Sequence, residues 1–235
     1  MAAFESESQE LRICFRYPIK EIAEAASLLN QAVTEHLFGN TSEAESLIRQ
    51  ADIPVVSEWT ESILGKNSKY ALISAAREPS LPLAERIPVR MPNAQEMLQL
   101  HARDGYHCRF CGIPVIRKEV REKIRTAYPD ALRWGKRNVE RHAAFFAMWV
   151  QYDHLTPHSK GGTNDISNLV VTCSACNYGR GGFTLGEVRL RNPLERPPIK
   201  SSWDGLERFV RTSSNMAVER DAQHAAHFVR PSPLR

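Results

Sequence analysis

Residues 149–180 read WVQYDHLTPHSKGGTNDISNLVVTCSACNYGR. The apolar run 149–155 predicts a short strand, the glycine-rich stretch after it a loop, and 169–172 a second strand. A helix is expected to start at the Cys173-Ser-Ala-Cys176 pair, so the unit is strand, loop, strand, helix. Its polar residues sit at element ends: Asp153 and His154 before Pro157, Asn168 opening the second strand, Asn177 entering the helix. Neighbouring strand residues point to opposite faces, so the first strand is expected to end or bend at Asp153-His154 if both are to serve one ion. Gly161 and Gly162 suit a turn with unusual backbone angles.

Cys108-Arg-Phe-Cys111, followed by Gly112, repeats the spacing of Cys173 and Cys176. Four thiolates make a closed tetrahedral zinc site, which has no open position for substrate and so supports the fold rather than the chemistry. Between the pairs lie 61 residues, more than a plain zinc ribbon carries, which implies an element looped out between ligands. Two buried pairs of free thiols are the bland alternative. His101 and His107 flank the first pair as substitute ligands that four cysteines make unnecessary. Cys14, in LRICFRY, reads as a small core residue.

Hydrolysing a phosphodiester needs a base to activate water and a cation to neutralise developing charge. A carboxylate and an amide oxygen suit a hard divalent ion, and a neutral imidazole suits the base near pH 7. The 149–180 segment supplies all three.

Asp153-His154-x-x-Pro157, Gly161-Gly162, Asn168-Leu169 and Cys173-x-x-Cys176-Asn177, preceded by RDGYHCRFC at 103–111, resemble the HNH endonuclease family in its zinc-containing, restriction-enzyme-like branch. The resemblance covers about residues 98–182 and implies an α+β chain with a ββα-metal nuclease core, a four-cysteine zinc site and a helical insertion. It implies that Asp153 and Asn177 ligate a catalytic Mg²⁺ or Mn²⁺ and that His154 is the general base. Asn168 would hold the loop and so orient His154. Where the family name has a closing histidine, this chain has Asn177, a weaker ligand for transition metals but a suitable one for Mg²⁺.

The rest of the chain frames that core. Residues 1–90 carry 9 Lys and Arg against 13 Asp and Glu, and residues 91–235 carry 22 against 14, so the C-terminal part is the expected polyanion binder, with solvated surface charge as the bland alternative. Helices are expected over 19–38, from Ser42 with Glu45 at capping-box spacing, and from Pro54 to a stop at Gly65. Prolines at 79, 82, 88 and 92 predict an extended linker or strap. A short helix follows and ends at Gly105. The insertion 113–148 is read as two helices broken near Pro129 and Gly135, and 117–141 holds 9 basic residues against 4 acidic ones, a solvated face or a surface for a phosphate backbone. Beyond it, Thr184 and Glu187 suggest a capped helix, WDGLERFVRT a last helix, and the tail after about 214 partial disorder. The divisions expected are 1–90, a mainly helical region that reads sequence, dimerises, binds a partner protein or restrains the nuclease; 91–200, the nuclease domain; and 201–235, a helix and tail.

No membrane span is visible and the first residues are acidic, so the expected location is cytoplasmic, with DNA as the partner. Lys160 and Arg180 are candidate phosphate contacts or solvated charges, and His158 a loop histidine. Trp134, Phe145, Phe146 and Trp149 read as core or, less simply, as stacking platforms. The function expected is metal-dependent DNA cleavage, one strand per active site, in restriction, phage defence or mobile-element settings. The alternatives are a catalytically silent zinc module that binds nucleic acid or a partner, and a nuclease for RNA or single strands.

Overall fold

The computed structural model describes residues 11–64, 68–70 and 77–211. The expected stop at Gly65 and the tail beyond 214 lie outside the described residues.

Three helices open the fold: α1 (Lys20–Leu37), α2 (Thr41–Gln50) and α3 (Pro54–Ile63). In α1, Ile22, Ala25, Ala26, Leu29, Ala32 and Val33 recur at helical spacing and are buried, largely against α2, whereas Leu37 at the end is left exposed. Removing each large aliphatic side chain from water contributes about 1.5–3 kcal/mol. The start expected at Ser42 is corrected: Asn40 is the N-cap, Ser42 lies inside the first turn, and no capping side-chain bond forms. Pro54 occupies the first turn of α3, where its missing N–H costs nothing.

Helix α4 (Ala94–Asp104) is capped at both ends. Asn93 and Glu96 exchange side-chain and backbone bonds at its start, and Gly105 ends it at φ 69°. Asp104 then accepts from the Val171 amide at 3.0 Å, and Arg103 reaches the carbonyls of Ile166 and Leu169, so the helix is tied to the strand that leads into the second cysteine pair. The insertion contributes α5 (Lys118–Ala127) and α6 (Ala143–Ala147) with a single 3-10 turn at Asn138–Glu140 between them.

Strands β1 (Val150–His154) and β2 (Leu169–Cys173) pair antiparallel, Val150 opposite Cys173 and His154 opposite Leu169, and α7 (Ser174–Arg180) follows directly. This is the strand, loop, strand, helix unit expected from 149–180. Of the end or bend expected at Asp153-His154, the strand takes the end: β1 stops at His154, its pairing regular up to that residue, and the Leu155 amide beyond it donates to Asn168 O at 2.7 Å.

The helix expected at Thr184 is also corrected. Thr184 and Glu187 do bond reciprocally, but around turns at 185–189 in which Arg189 has φ 53°. Residues 207–211 are helical. Phe145 and Phe146 are buried, while Trp134 and Trp149 are half-buried and enclose the Arg121 guanidinium, 3.6 and 4.8 Å from the two ring centroids.

One cluster of buried side chains runs from Cys14 to Phe209 and takes in both sides of residue 90. Ile63 of α3 lies so close to α7 that a Cβ on Gly179 would sit 2.7 Å from its Cγ2. Asp52, between α2 and α3, accepts from the Ala143 amide at 2.6 Å at the start of α6. The N-terminal helices therefore brace α7 and the insertion from behind. No helix among the described residues is long and apolar enough to cross a membrane.

Candidate active site and metal centre

The four cysteines converge from two segments, with sulfurs all within 4.8 Å of one another. The Cys108 amide donates to Ile113 O and the Gly112 amide to Cys108 O, with Gly112 at φ 83°, so the first pair sits on a tight turn. The Arg109 amide donates to Val171 O, docking that turn on β2. The second pair spans the strand-to-helix junction, where the Cys176 amide approaches Cys173 Sγ at 3.5 Å. Four thiolates around one tetrahedral ion at about 2.3 Å stand about 3.8 Å apart; Cys111 and Cys173 are 3.6 Å apart. Burial pushes the Cys111 thiol far up, and Cys108 is held well below the usual thiol range against the burial penalty by hydrogen bonds from the other three. Four sulfurs at this spacing fit a metal such as zinc, whose positive charge would favour the thiolate form of each. His101 and His107 are not ligands: their ring nitrogens engage Gly105 O and the Tyr152 hydroxyl, and Gly112 O and the Ser201 hydroxyl. Cys14 is buried in the core, and burial raises its pKa to about 11.

Beside this centre opens a cleft of about 640 Å³, lined by Asp153 and His154 from β1, Asn177 and Arg180 from α7, and His158 from the loop between the strands. Asp153 faces α7, where Arg180 takes both carboxylate oxygens in a fork, Nε to Oδ2 at 2.7 Å and Nη2 to Oδ1, and also reaches the His154 carbonyl. Burial pushes the Asp153 carboxyl up and the Arg180 cation works against that. Arg180 is only 1% exposed, so its guanidinium serves Asp153 rather than solvent.

The Nε2 of His154 lies 2.8 Å from Asn164 Oδ1. The amide of Asn164 is fixed by its other end, since Nδ2 donates to the carbonyls of Val89 and Met91 at 3.1 and 3.2 Å. Oδ1 must then accept, so His154 carries its proton on Nε2 and a free lone pair on Nδ1. Burial holds the imidazole below its ordinary pKa, against the opposing pull of Asn164 and Asp153, and leaves it neutral near pH 7.

Asn168 binds the loop on both sides. Its Oδ1 accepts from the Thr156 amide at 2.8 Å, and its Nδ2 donates to Thr156 O and Thr163 O. A Cβ on Gly162 would stand 1.8 Å from Thr156 O, so that glycine is required by close approach; Gly161, at φ 88°, is the one with the unusual angle. Lys160, the other candidate phosphate contact, is turned inward and pairs with Glu187 at 2.5 Å. His158 is held by Ile87 O at 2.8 Å, its ring centroid 6.0 Å from that of His154.

Residues 143–181 match the HNH endonuclease family. That span takes in β1, both loop glycines, β2 and α7, so the HNH domain comprises the ββα unit and its second cysteine pair. No curated protein and no solved structure matches the chain.

Sequence reasoning placed the cysteines, Asp153, His154, Asn168 and Asn177 around this HNH domain, and the structure brings all of them to the zinc-type centre or the adjoining cleft and its loop. It missed Asn164. An asparagine between Gly162 and Asp165 reads as a turn former, and its contacts with Val89 and Met91 leave no local signal.

Proposed function

We propose that the protein is a metal-dependent endonuclease that hydrolyses DNA phosphodiester bonds. The observation that carries this reading is the convergence of Asp153, His154 and Asn177 on one cleft, with His154 held so that Nδ1 is the free nitrogen. In this reading Nδ1 takes a proton from water, the water oxygen forms a bond to phosphorus, and one P–O ester bond breaks as the leaving oxygen takes a proton from solvent. Asp153 and Asn177 would hold a divalent ion, Mg²⁺ or Mn²⁺. A carboxylate oxygen keeps a further lone pair beyond the one given to Arg180. The ion, when bound, neutralises charge on the phosphate and leaving oxygen. The four cysteines would hold zinc as a brace, and the N-terminal helices would steady α7. A restriction, phage-defence or mobile-element setting rests on the resemblance alone.

One observation favours a second reading, a zinc-braced nucleic-acid module without chemistry: Arg180 already engages both oxygens of Asp153. Incubating supercoiled plasmid with the protein, with Mg²⁺ or after chelation, and with His154→Ala in parallel, separates the two. The nuclease reading expects nicked or linear product that disappears with chelator and with His154→Ala. Intact plasmid in every lane, or cutting indifferent to both changes, would sink it.

A further inference from the structure

Four cations border the cleft and its loop, and carboxylates account for two. Arg180 is committed to Asp153 and Lys160 to Glu187. Arg86 and Arg90, on the opposite wall, pair with no carboxylate among the described residues; Arg86 uses its Nε on the Leu81 carbonyl and Arg90 is exposed. Asp153 is the sole carboxylate among the residues lining the cleft, and its charge is answered by Arg180. The wall that carries Arg86 and Arg90 therefore leaves the cleft with uncompensated positive charge.

That wall is held in place. The Leu81 amide donates to Ser159 O at 2.8 Å, Ile87 O meets His158 Nε2, and Val89 O and Met91 O accept from Asn164. Pro82, Pro88 and Pro92 stiffen the same stretch. A backbone tied in this way, carrying two guanidinium groups without carboxylate partners along the cleft, suits phosphate oxygens, which a planar fork can hold in pairs at little cost in chain entropy.

We propose that residues 81–91, outside the segment that matches the HNH family, form the substrate-holding wall of the cleft, with Arg86 and Arg90 gripping phosphates of the DNA strand presented to His154. This rests on the nuclease reading above and adds the residues that hold its substrate. Asn164 joins the wall to His154, so the strand is held by the same framework that orients the base.

The test is binding of a labelled DNA duplex, followed by fluorescence anisotropy over a salt series, in a His154→Ala background that prevents turnover. Each phosphate contact contributes a slope of about 0.9 in log affinity against log salt. Arg86→Gln with Arg90→Gln should weaken binding at least about 10-fold and flatten the slope by roughly 1.8. Arg90→Gln alone, at an exposed position, should flatten it by roughly 0.9 without disturbing the fold. Arg86→Lys with Arg90→Lys should retain the slope. Parental affinity and slope in both glutamine variants, with zinc content and melting temperature unchanged, would overturn the proposal, as would a parent that binds no duplex. Plasmid cutting by the chain with His154 intact reports on the nuclease reading separately, so either can fail alone.

Discussion

His154 donates from Nε2 to Asn164 Oδ1 at 2.8 Å, and the same amide reaches two carbonyls of the segment before the HNH domain. The orientation of the proposed base is therefore set from more than sixty residues upstream in the sequence, with Asn164 as the joint. Asn164→Ala frees the ring to turn. A misplacement of about 1 Å at a reacting group can cost on the order of 100-fold in rate, so plasmid cleavage should show a fall in kcat of that order with KM for DNA little changed. A loss confined to KM would mean that Asn164 does not position the base.

Gly162 fits against Thr156 O with no room for a Cβ. Gly162→Ala should destabilise the loop by about 1–3 kcal/mol through overpacking, lower the melting temperature and reduce cutting. Gly186→Ala, whose Cβ would meet only Thr184 Oγ1 at 4.0 Å, is the control and should melt close to the parent.

Cys176 and Asn177 are neighbours on the first turn of α7, and the proposed function gives them separate duties, the first towards zinc and the second towards the catalytic ion. Cys176→Ser should lower zinc content, measured by inductively coupled plasma mass spectrometry, and lower the melting temperature. Asn177→Ala should keep zinc and lose cutting. Zinc loss in Asn177→Ala would refute the division between the two ions.

Glu187 ties Lys160, Thr184 and Glu78 together. Burial works to raise its pKa, but the Lys160 ammonium and the amides of Thr184 and Glu78 outweigh it and bring it to about 2. A carboxyl depressed in the fold stabilises at pH above its unfolded pKa, about 4.3, and the contribution is lost as pH falls towards 2. Melting temperature followed from pH 7 downward should therefore drop through that window. Glu187→Gln should be less stable than the parent at pH 7, and the gap should close towards pH 2. A gap that stays constant across the range would contradict this account.

The HNH unit was legible because its signals are local: two apolar runs of strand length, a glycine pair, and cysteine pairs whose spacing permits few geometries. What lay beyond reach were pairings between distant residues. Nothing near Lys160 or Arg180 in sequence announces Glu187 or Asp153 as a partner, so both cations looked available to substrate. The proline-rich 79–92 segment looked like a linker because its order comes from Ser159, His158 and Asn164, not from its own residues. Ser42 with Glu45 has the spacing of a capping box, but α2 begins one residue earlier with Asn40 as its N-cap. In TLGEVRL the capping residues do bond as their spacing suggests, but the backbone closes into turns around Gly186 instead of propagating a helix.

Ile63 resting on Gly179 has a consequence for anyone wishing to transplant the HNH unit. The back of α7 is a socket filled by α3, and a fragment trimmed to the matched 143–181 span, or started at residue 91, would present that socket to water. The smallest portable version of the candidate site therefore carries its N-terminal helices with it.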